Sequence, residues 1–329
     1  MSRRLSPAWW PVLGAASPII APFLYKKNRV YKENLKKSEL LNRSRITNAG
    51  LMDLPELDFL ELTVLVEEKT KDGFLGDAGI SYFFKSNLGT LLFDVGFGPE
   101  RPALLHNSKK IGFNMDMADA LAISHRHPDH MGGMKASRLK KVITPVELGT
   151  VDGKDCFLPD ASNTDGFNPH VVKEPSVLKA GIASTGPLAR SLFFFGLTEE
   201  QVLVARVKGK GLVIITACGH PTIEVILKMV KKMSDEKIYA ICGGLHFPVT
   251  EGRGNKFGIQ FQQFIGTGLP PWKKLTDNEL SKTISSINHT ETEKVYISAH
   301  DTCDRSISRF KNELKAETSI LKAGETYRF

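Results

Sequence analysis

The stretch that most restricts this chain is Ser-His-Arg-His-Pro-Asp-His-Met-Gly-Gly at 124–133, which holds three of the nine histidines of a 329-residue sequence. In an extended backbone, side chains two apart project to the same side, so His125 and His127 can hold one metal ion together. Asp129 and His130, one turn further along, can reach a second ion nearby. A His-x-His-x-Asp-His match by chance anywhere in such a chain is on the order of one in a few thousand. A polar loop whose histidines are satisfied by ordinary hydrogen bonds is the weaker explanation.

The sequence around this motif is organised in short β-rich runs. From about residue 57, "LDFLELTVLVEE", "ISYFFKS" and "GTLLFDVG" read as consecutive strands, with a hairpin turn at Asn87-Leu88-Gly89. "PERPALLHNSKKIG" reads as a helix, and "ALAIS" as a buried strand ending at His125. The next helix is expected near His130, running through "MGGMKASRLKK". "QVLVARV" and "GLVIITAC" pair around the turn at 208–211. The helix "PTIEVILKMVKKMS" places Ile223, Ile226, Leu227, Val230 and Met233 on one face, with its proline in the first turn. "KIYAICGGLHF" and "KVYISAH" are further strands, and a last helix starts at Asp304. Strand–helix alternation of this kind predicts layered α/β packing. Segments 151–176 and 249–275, rich in turn residues, are expected as loops over a site.

Two more histidines sit at predicted strand ends that open toward the same cleft. His246 follows "GGL", where two glycines would let the backbone approach a ligand or an ion. His300 follows the next strand, in "SAHDTCD". Both are candidate metal ligands, against the alternative of core or substrate-binding imidazoles. His170, in the loop "FNPHVVKE", is a weaker candidate for substrate contact. His106 and His289 need no more than a surface role.

The length is ample for a full core, and 41% hydrophobic with 24% charged residues is the balance of a globular protein. Four separated cysteines (Cys156, Cys218, Cys242, Cys303) form no CxxC pair and no disulfide framework, which points to a reducing cytoplasm. The net charge of +8 favours anionic partners without choosing among them. Residues 1–50 are read as an arm separate from a catalytic domain at 51–329. The arm opens with a nineteen-residue uncharged run, "PAWWPVLGAASPIIAPFLY", flanked by Arg3 and Arg4 and by Lys26 and Lys27. Pro7, Pro11, Pro18 and Pro22 argue against a straight membrane-spanning helix. The arm therefore packs on the domain or a neighbouring subunit in a homo-oligomer, lies on a membrane surface, or is an export signal. The basic stretch that follows is helix-permissive.

With its His-x-His-x-Asp-His motif preceded by the strand "LLFDVG", residues 57–303 resemble the metallo-β-lactamase superfamily. The order of "STGPLAR", "ITACGHPTIE", "CGGLHF" and "SAHDTCD" is most similar to the group named for dihydropterin-6-yl-methyl aminobenzene 5'-phosphate synthase. The resemblance implies a four-layer αββα sandwich with two divalent metal ions, zinc by custom and iron or manganese as alternatives, in a cleft at one edge. It implies metal binding by His125, His127, Asp129 and His130, and a supporting role for Asp94, hydrogen-bonded behind the ligand loop. Where the superfamily expects Gly-Asp after a later strand, this chain has Ala217-Cys218-Gly219-His220. His220, Cys218 or both could ligate there.

Two ions sharing a water would lower its pKa toward neutrality, and Asp129 would orient it against a carbonyl or phosphorus. The expected activity is hydrolysis of a phosphoester, lactone or similar small anionic substrate. The synthase resemblance offers a transferase alternative, joining a phosphorylated aromatic amine to a pterin with loss of pyrophosphate. A non-catalytic binding module on the same fold would be expected to lose residues from the first motif, which is intact. Di-iron oxygen or nitric oxide reductases would show His-x-Glu-x-Asp and a fused flavin domain, and neither is visible. RNA-processing members would carry a large inserted domain or an RNA-gripping arm; the motif spacing leaves no room for the insertion, and no nucleic-acid partner is expected.

Overall fold

A computed structural model describes residues 5–250 and 255–329, the side chains of 255 and 256 excepted; Arg3, Arg4 and residues 251–254 of the expected 249–275 loop lie outside the described residues. In chain order the elements are helix α1 (Trp9–Asn48), strands β1 (Glu56–Leu57), β2 (Leu60–Val66), β3 (Ser81–Ser86) and β4 (Gly89–Phe93), helix α2 (Ala103–Ile111), β5 (Ala120–Ala122), and short helices α3 (Pro128–Met131) and α4 (Met134–Leu139). There follow β6 (Asp155–Leu158), β7 (Asn168–Val171), β8 (Ser176–Val177), β9 (Ala183–Leu192), β10 (Gly196–Val207), β11 (Gly211–Ile215) and helix α5 (Ile223–Met233). The chain ends with β12 (Ile238–Gly243), β13 (Asn255–Lys256), β14 (Ile259–Gln260), helix α6 (Asp277–Asn288), β15 (Lys294–Ile297), helix α7 (Asp304–Glu313), β16 (Glu317–Ile320) and β17 (Thr326–Arg328).

Two large sheets face each other. The first runs β17-β2-β3-β4-β5-β6-β7, and the second β16-β15-β12-β11-β10-β9-β8, with β1 added beside β10. Alternation along the strands decides what each face buries. On β3 and β4, Tyr82, Phe84, Leu91 and Phe93 enter the core between the sheets, while Phe83 and Leu92 point outward to α2 and α3. On β11, Val213 and Ile215 enter that same inner core, and Leu212 and Ile214 pack against α5, α6 and α7. Strands buried on both faces explain the unbroken apolar runs of the sequence. The result is the expected αββα sandwich.

Helix α5 buries Ile223, Ile226, Leu227, Val230 and Met233, the face read from its periodicity. It begins after Pro221 at Ile223, behind Thr222 at φ 77°, so the proline precedes the helix instead of occupying its first turn. The helix expected across 130–141 is broken in two. Gly132 ends α3 at φ 108°, and a Cβ there would overlap the carbonyl oxygen of Ile143, so only glycine lets the two segments pass. Segment 151–176, expected as a loop over the site, instead supplies β6, β7 and β8 at the sheet edges.

The arm also differs from expectation. Helix α1 continues through Pro18 and Pro22 for 40 residues, with Pro11 in its first turn. No described helix is long and apolar enough to cross a membrane. The C-terminal half of α1 covers β9 where β8 has ended, a place that would leave strand hydrogen-bonding groups open. The side-chain amide of Asn42 does this work twice: Nδ2 donates to the Ala189 carbonyl at 2.8 Å, and Oδ1 accepts the Ala189 N–H at 2.7 Å. Arg45 adds a bond to the Pro187 carbonyl (2.9 Å) and an ion pair with Glu199 (2.5 Å).

Candidate metal centre

Most residues of the site leave the end of a strand or the turn just beyond it, and Asp129 and His130 stand on the short helix α3 that follows β5. Asp94 follows β4 and Ser124 and His125 follow β5, its parallel neighbour; Cys218, His246 and His300 follow β11, β12 and β15, which are also mutually parallel. The two sheets therefore deliver their loops to one edge of the sandwich. Asp94, His246 and Asp301 all hold φ near +60° there (60°, 55° and 56°), a conformation uncommon for residues with a Cβ and concentrated at functional sites.

Two groups of donor atoms result. In the first, His125 Nε2 lies 3.0 Å from His127 Nδ1, and His220 Nε2 lies 3.3 Å from the same atom. In the second, His130 Nε2 is 3.0 Å from Cys218 Sγ and 3.5 Å from Asp129 Oδ2, and His300 Nε2 is 3.1 Å from Asp129 Oδ2. Both Cys218 and His220, left open by the sequence, are thus present, one in each group. His246 joins neither group. Its ring packs 4.9 Å from that of His220, and its Nδ1 is 3.5 Å from Asp301 Oδ2.

Hydrogen bonds from behind set which nitrogen each ring presents. Asp94 Oδ2 accepts from His130 Nδ1 (2.7 Å) and from the Ser124 hydroxyl (2.6 Å), while Oδ1 accepts the Ser124 N–H (2.7 Å). The Ser124 oxygen then accepts from His125 Nδ1 at 2.9 Å. With Nδ1 engaged from behind on both rings, Nε2 is the atom that His125 and His130 turn to the centre. His127 is turned the other way: its Nε2 is 3.4 Å from the Thr198 hydroxyl, and its Nδ1 faces inward.

The electrostatics of the groups differ. Burial, reinforced by neighbouring imidazoles, holds His125 and His220 well below the usual histidine range, and burial brings His127 down to about 4. These three rings are neutral near pH 7. In the second group burial alone would neutralise the charges, but opposite charges prevail: Cys218, Asp129 and Asp94 hold His130, and Asp301, Cys218 and Asp129 hold His300, well above the usual value, while His130 and His300 hold the Asp129 carboxyl well below it. Burial pushes the Cys218 thiol up, opposed by His130 and His300.

These features fit divalent cations. Three neutral imidazoles bring one ring nitrogen each to within 4.8 Å of one another. In addition, His220 Nδ1 and both ring nitrogens of His246 and His300 are buried without a well-formed hydrogen bond, an arrangement that costs free energy unless something else satisfies it. Imidazole, thiolate and carboxylate are the donor set that zinc and its neighbours in the first transition row prefer.

Three acidic residues not singled out from the sequence support this arrangement. Glu200, on β10, accepts the N–H groups of Gly219 (2.9 Å) and His220 (2.8 Å) and so shapes the loop bearing Cys218 and His220. Asp301 Oδ2 lies 3.1 Å from His300 Nε2; its position directly after His300 was the signal available. Glu67 is fully buried beside the Ser298 and Tyr82 hydroxyls, and nothing local in "LVEEKT" marks it. The glycine pair before His246 acts differently from expectation. A Cβ on Gly244 would overlap the Ala217 carbonyl oxygen, so the pair allows two backbone loops, not a ligand, to come close.

A cavity of about 440 Å³ opens onto both groups, lined by His127, Asp129, His220, His300 and Asp301, with Phe97, Phe195, Phe261, Ile265 and Arg101 at its walls. Phe195 packs on the His127 ring at 4.5 Å, and Arg101 lies over Phe97 at 3.5 Å while bonding Asp77. The segment after residue 255 thus covers the site as expected. His170 does not take part: it lies on exposed β7, bonds Asp155 Oδ1 at 2.8 Å and stacks on Phe157, away from the cavity. His106 and His289 make ordinary bonds to the carbonyls of Gly73 and Ser285.

A sequence model of the metallo-beta-lactamase superfamily matches residues 76–148, the span holding Asp94 and the histidine motif. The fold matches the crystal structure of Tm1679, a metal-dependent hydrolase of the beta-lactamase superfamily, with a TM-score of 0.57 at 21% identity, covering 82% of this chain and 98% of that one. The chain thus carries a metallo-β-lactamase superfamily match over residues 76–148 and has the fold of such proteins. Another structure of this fold, YhfI from Bacillus subtilis, matches with a TM-score of 0.50 at 16% identity over 83% of this chain and 100% of that one. Among curated proteins, the chain is similar to the 7,8-dihydropterin-6-methyl-4-(beta-D-ribofuranosyl)-aminobenzene-5'-phosphate synthase of Methanocaldococcus jannaschii. That relative is 23% identical over 238 residues, covering 60% of this chain and 80% of it.

Proposed function

We propose that this chain is a metal-dependent hydrolase binding two divalent ions, with zinc as the preferred metal, and acting on a phosphoester, lactone or similar small anionic substrate. The observation that carries this reading is the convergence of His125 Nε2, His127 Nδ1 and His220 Nε2 on one point, beside a second group of Asp129, His130, Cys218 and His300 at the same cavity. Ions held there would supply Lewis acidity and a water acidified toward neutral pH.

The chain's own residues have distinct tasks in this proposal. Asp129, ionised and at the cavity wall, accepts a hydrogen bond from the attacking water and so fixes its orientation. Asp94 and Ser124 hold His125 and His130 in the orientations that present Nε2. Arg101 offers a guanidinium to an anionic group, and Phe97, Phe195 and Phe261 keep water from the cavity mouth. The four cysteines are all unpaired, which supports a reducing, cytoplasmic setting.

A transferase reading has a specific support of its own. The curated relative is a synthase of an aminobenzene phosphate compound, and a cavity walled by three phenylalanines suits an aromatic substrate.

The deciding experiment is metal content by elemental analysis for wild type, His127→Ala and Cys218→Ala, followed by assays for phosphoester and lactone hydrolysis and for pyrophosphate release. About two equivalents of zinc in wild type, reduced in each variant and required for hydrolysis, are the expected result. Iron, or no metal in folded protein, would overturn it, the latter in favour of a binding module. Pyrophosphate release without hydrolysis would establish the transferase reading.

A further inference from the structure

From Leu5 to Tyr25 no side chain is charged, yet this end of α1 stands largely in solvent. Val12, Ile19, Phe23 and Val30 recur at i, i+7, i+11 and i+18 and therefore share one narrow stripe of a 3.6-residue helix. All four are exposed, Ile19 at 79% and Phe23 at 52%. Beside the helix, Trp10 and Trp272 line an open recess of about 570 Å³, and Phe257 stands almost entirely in solvent. These parts are joined: Trp9 Nε1 donates to the Phe257 carbonyl at 2.8 Å and the Ser6 N–H to the Gly258 carbonyl at 2.9 Å.

Past this apolar end the same helix becomes basic. Residues 26–48 carry eight Lys or Arg against two Glu, and Lys26 continues the stripe one helical repeat beyond Ile19. An exposed apolar stripe ending in a basic belt is the distribution that inserts into the headgroup boundary while lysines and arginines stay among anionic headgroups. A second copy packed with its helix parallel would instead bring two such belts together.

We propose that the N-terminal half of α1, with the 257–272 segment, docks on an anionic lipid surface. Phe261 and Ile265 of that segment also wall the metal-site cavity, so docking brings the cavity mouth toward the lipid. The proposal does not depend on the reaction catalysed.

The test is co-sedimentation of the full chain with phosphatidylcholine vesicles, with and without one-third phosphatidylserine. Two double variants at exposed positions, Ile19→Asp with Phe23→Asp and Lys26→Glu with Arg29→Glu, are compared at equal thermal midpoint and metal content. Wild type should sediment with the phosphatidylserine vesicles alone and be released by salt, and each variant should partition at least about tenfold more weakly. Wild type remaining in the supernatant, or binding unaffected by either variant, would overturn the proposal. So would a dimer that Ile19→Asp with Phe23→Asp dissociates, seen by light scattering without vesicle binding, since the stripe would then be covered by a second copy.

Discussion

Glu200 accepts the backbone N–H of His220 at 2.8 Å, so a side chain in the middle of β10 fixes the loop from which His220 reaches the centre. The same carboxylate takes the N–H of Gly219, and Glu200 is wholly buried. Replacing Glu200 with Gln turns one acceptor oxygen into a donor facing an N–H. We expect Glu200→Gln to weaken metal binding roughly 10- to 100-fold while the fold persists, measured by competition with a chelating dye.

Asp94 satisfies three donors at once and must also adopt φ 60°. Asp94→Ala leaves those donors buried and unpaired, and a loss of about 3 kcal/mol in unfolding free energy is expected from denaturant titration. Asp94→Asn keeps an acceptor and tolerates the left-handed backbone, so its loss should be clearly smaller.

Glu67 gives a pH dependence. Burial, only partly offset by Ser298 and other partners, raises its carboxyl from 4.5 to about 7. Between those values the folded state holds the proton more tightly than the unfolded state, so this residue's contribution to stability is complete below pH 4.5 and declines as pH rises toward 7. The decline is of order 3 kcal/mol. In metal-stripped protein, Glu67→Gln should lack this component, and its stability relative to wild type should rise from pH 4.5 to 7. Parallel wild-type and variant curves in urea would contradict the assignment.

Asn42 closes the free part of β9 with two hydrogen bonds to Ala189. Asn42→Ala should cost about 2 kcal/mol and speed amide exchange at Ala189, with metal content unchanged.

The parts of the site legible in the sequence were those written locally. Five ligand-loop positions stand within seven residues at 124–130, and the β3–β4 hairpin and the buried face of α5 follow from short periodic patterns. Glu67, Glu200 and the cradle around Cys218 were not legible because each acts across strands distant in sequence, and the Glu-Glu pairs at 67–68 and 199–200 read locally as solvated charge. Helix α6 did carry a readable mark in Thr276 and Glu279, whose side chains cap its first turn reciprocally. Helix α1 was obscured by its prolines, since a local rule about backbone donors cannot foresee a helix continuing through them.

The donors come from opposite halves of the sandwich: residues 125–130 hang from the first sheet, and Cys218, His220 and His300 from the second. A cation gripped from both sides would be a clasp as well as a reaction centre, cross-linking parts of the chain separated by long stretches of sequence. The entropy of closing so long a loop grows only slowly with its length, and such a tie removes that freedom from the unfolded chain. Stripping the metal should therefore loosen the seam between the sheets, making the integrity of the whole sandwich a readout of whether its site is loaded.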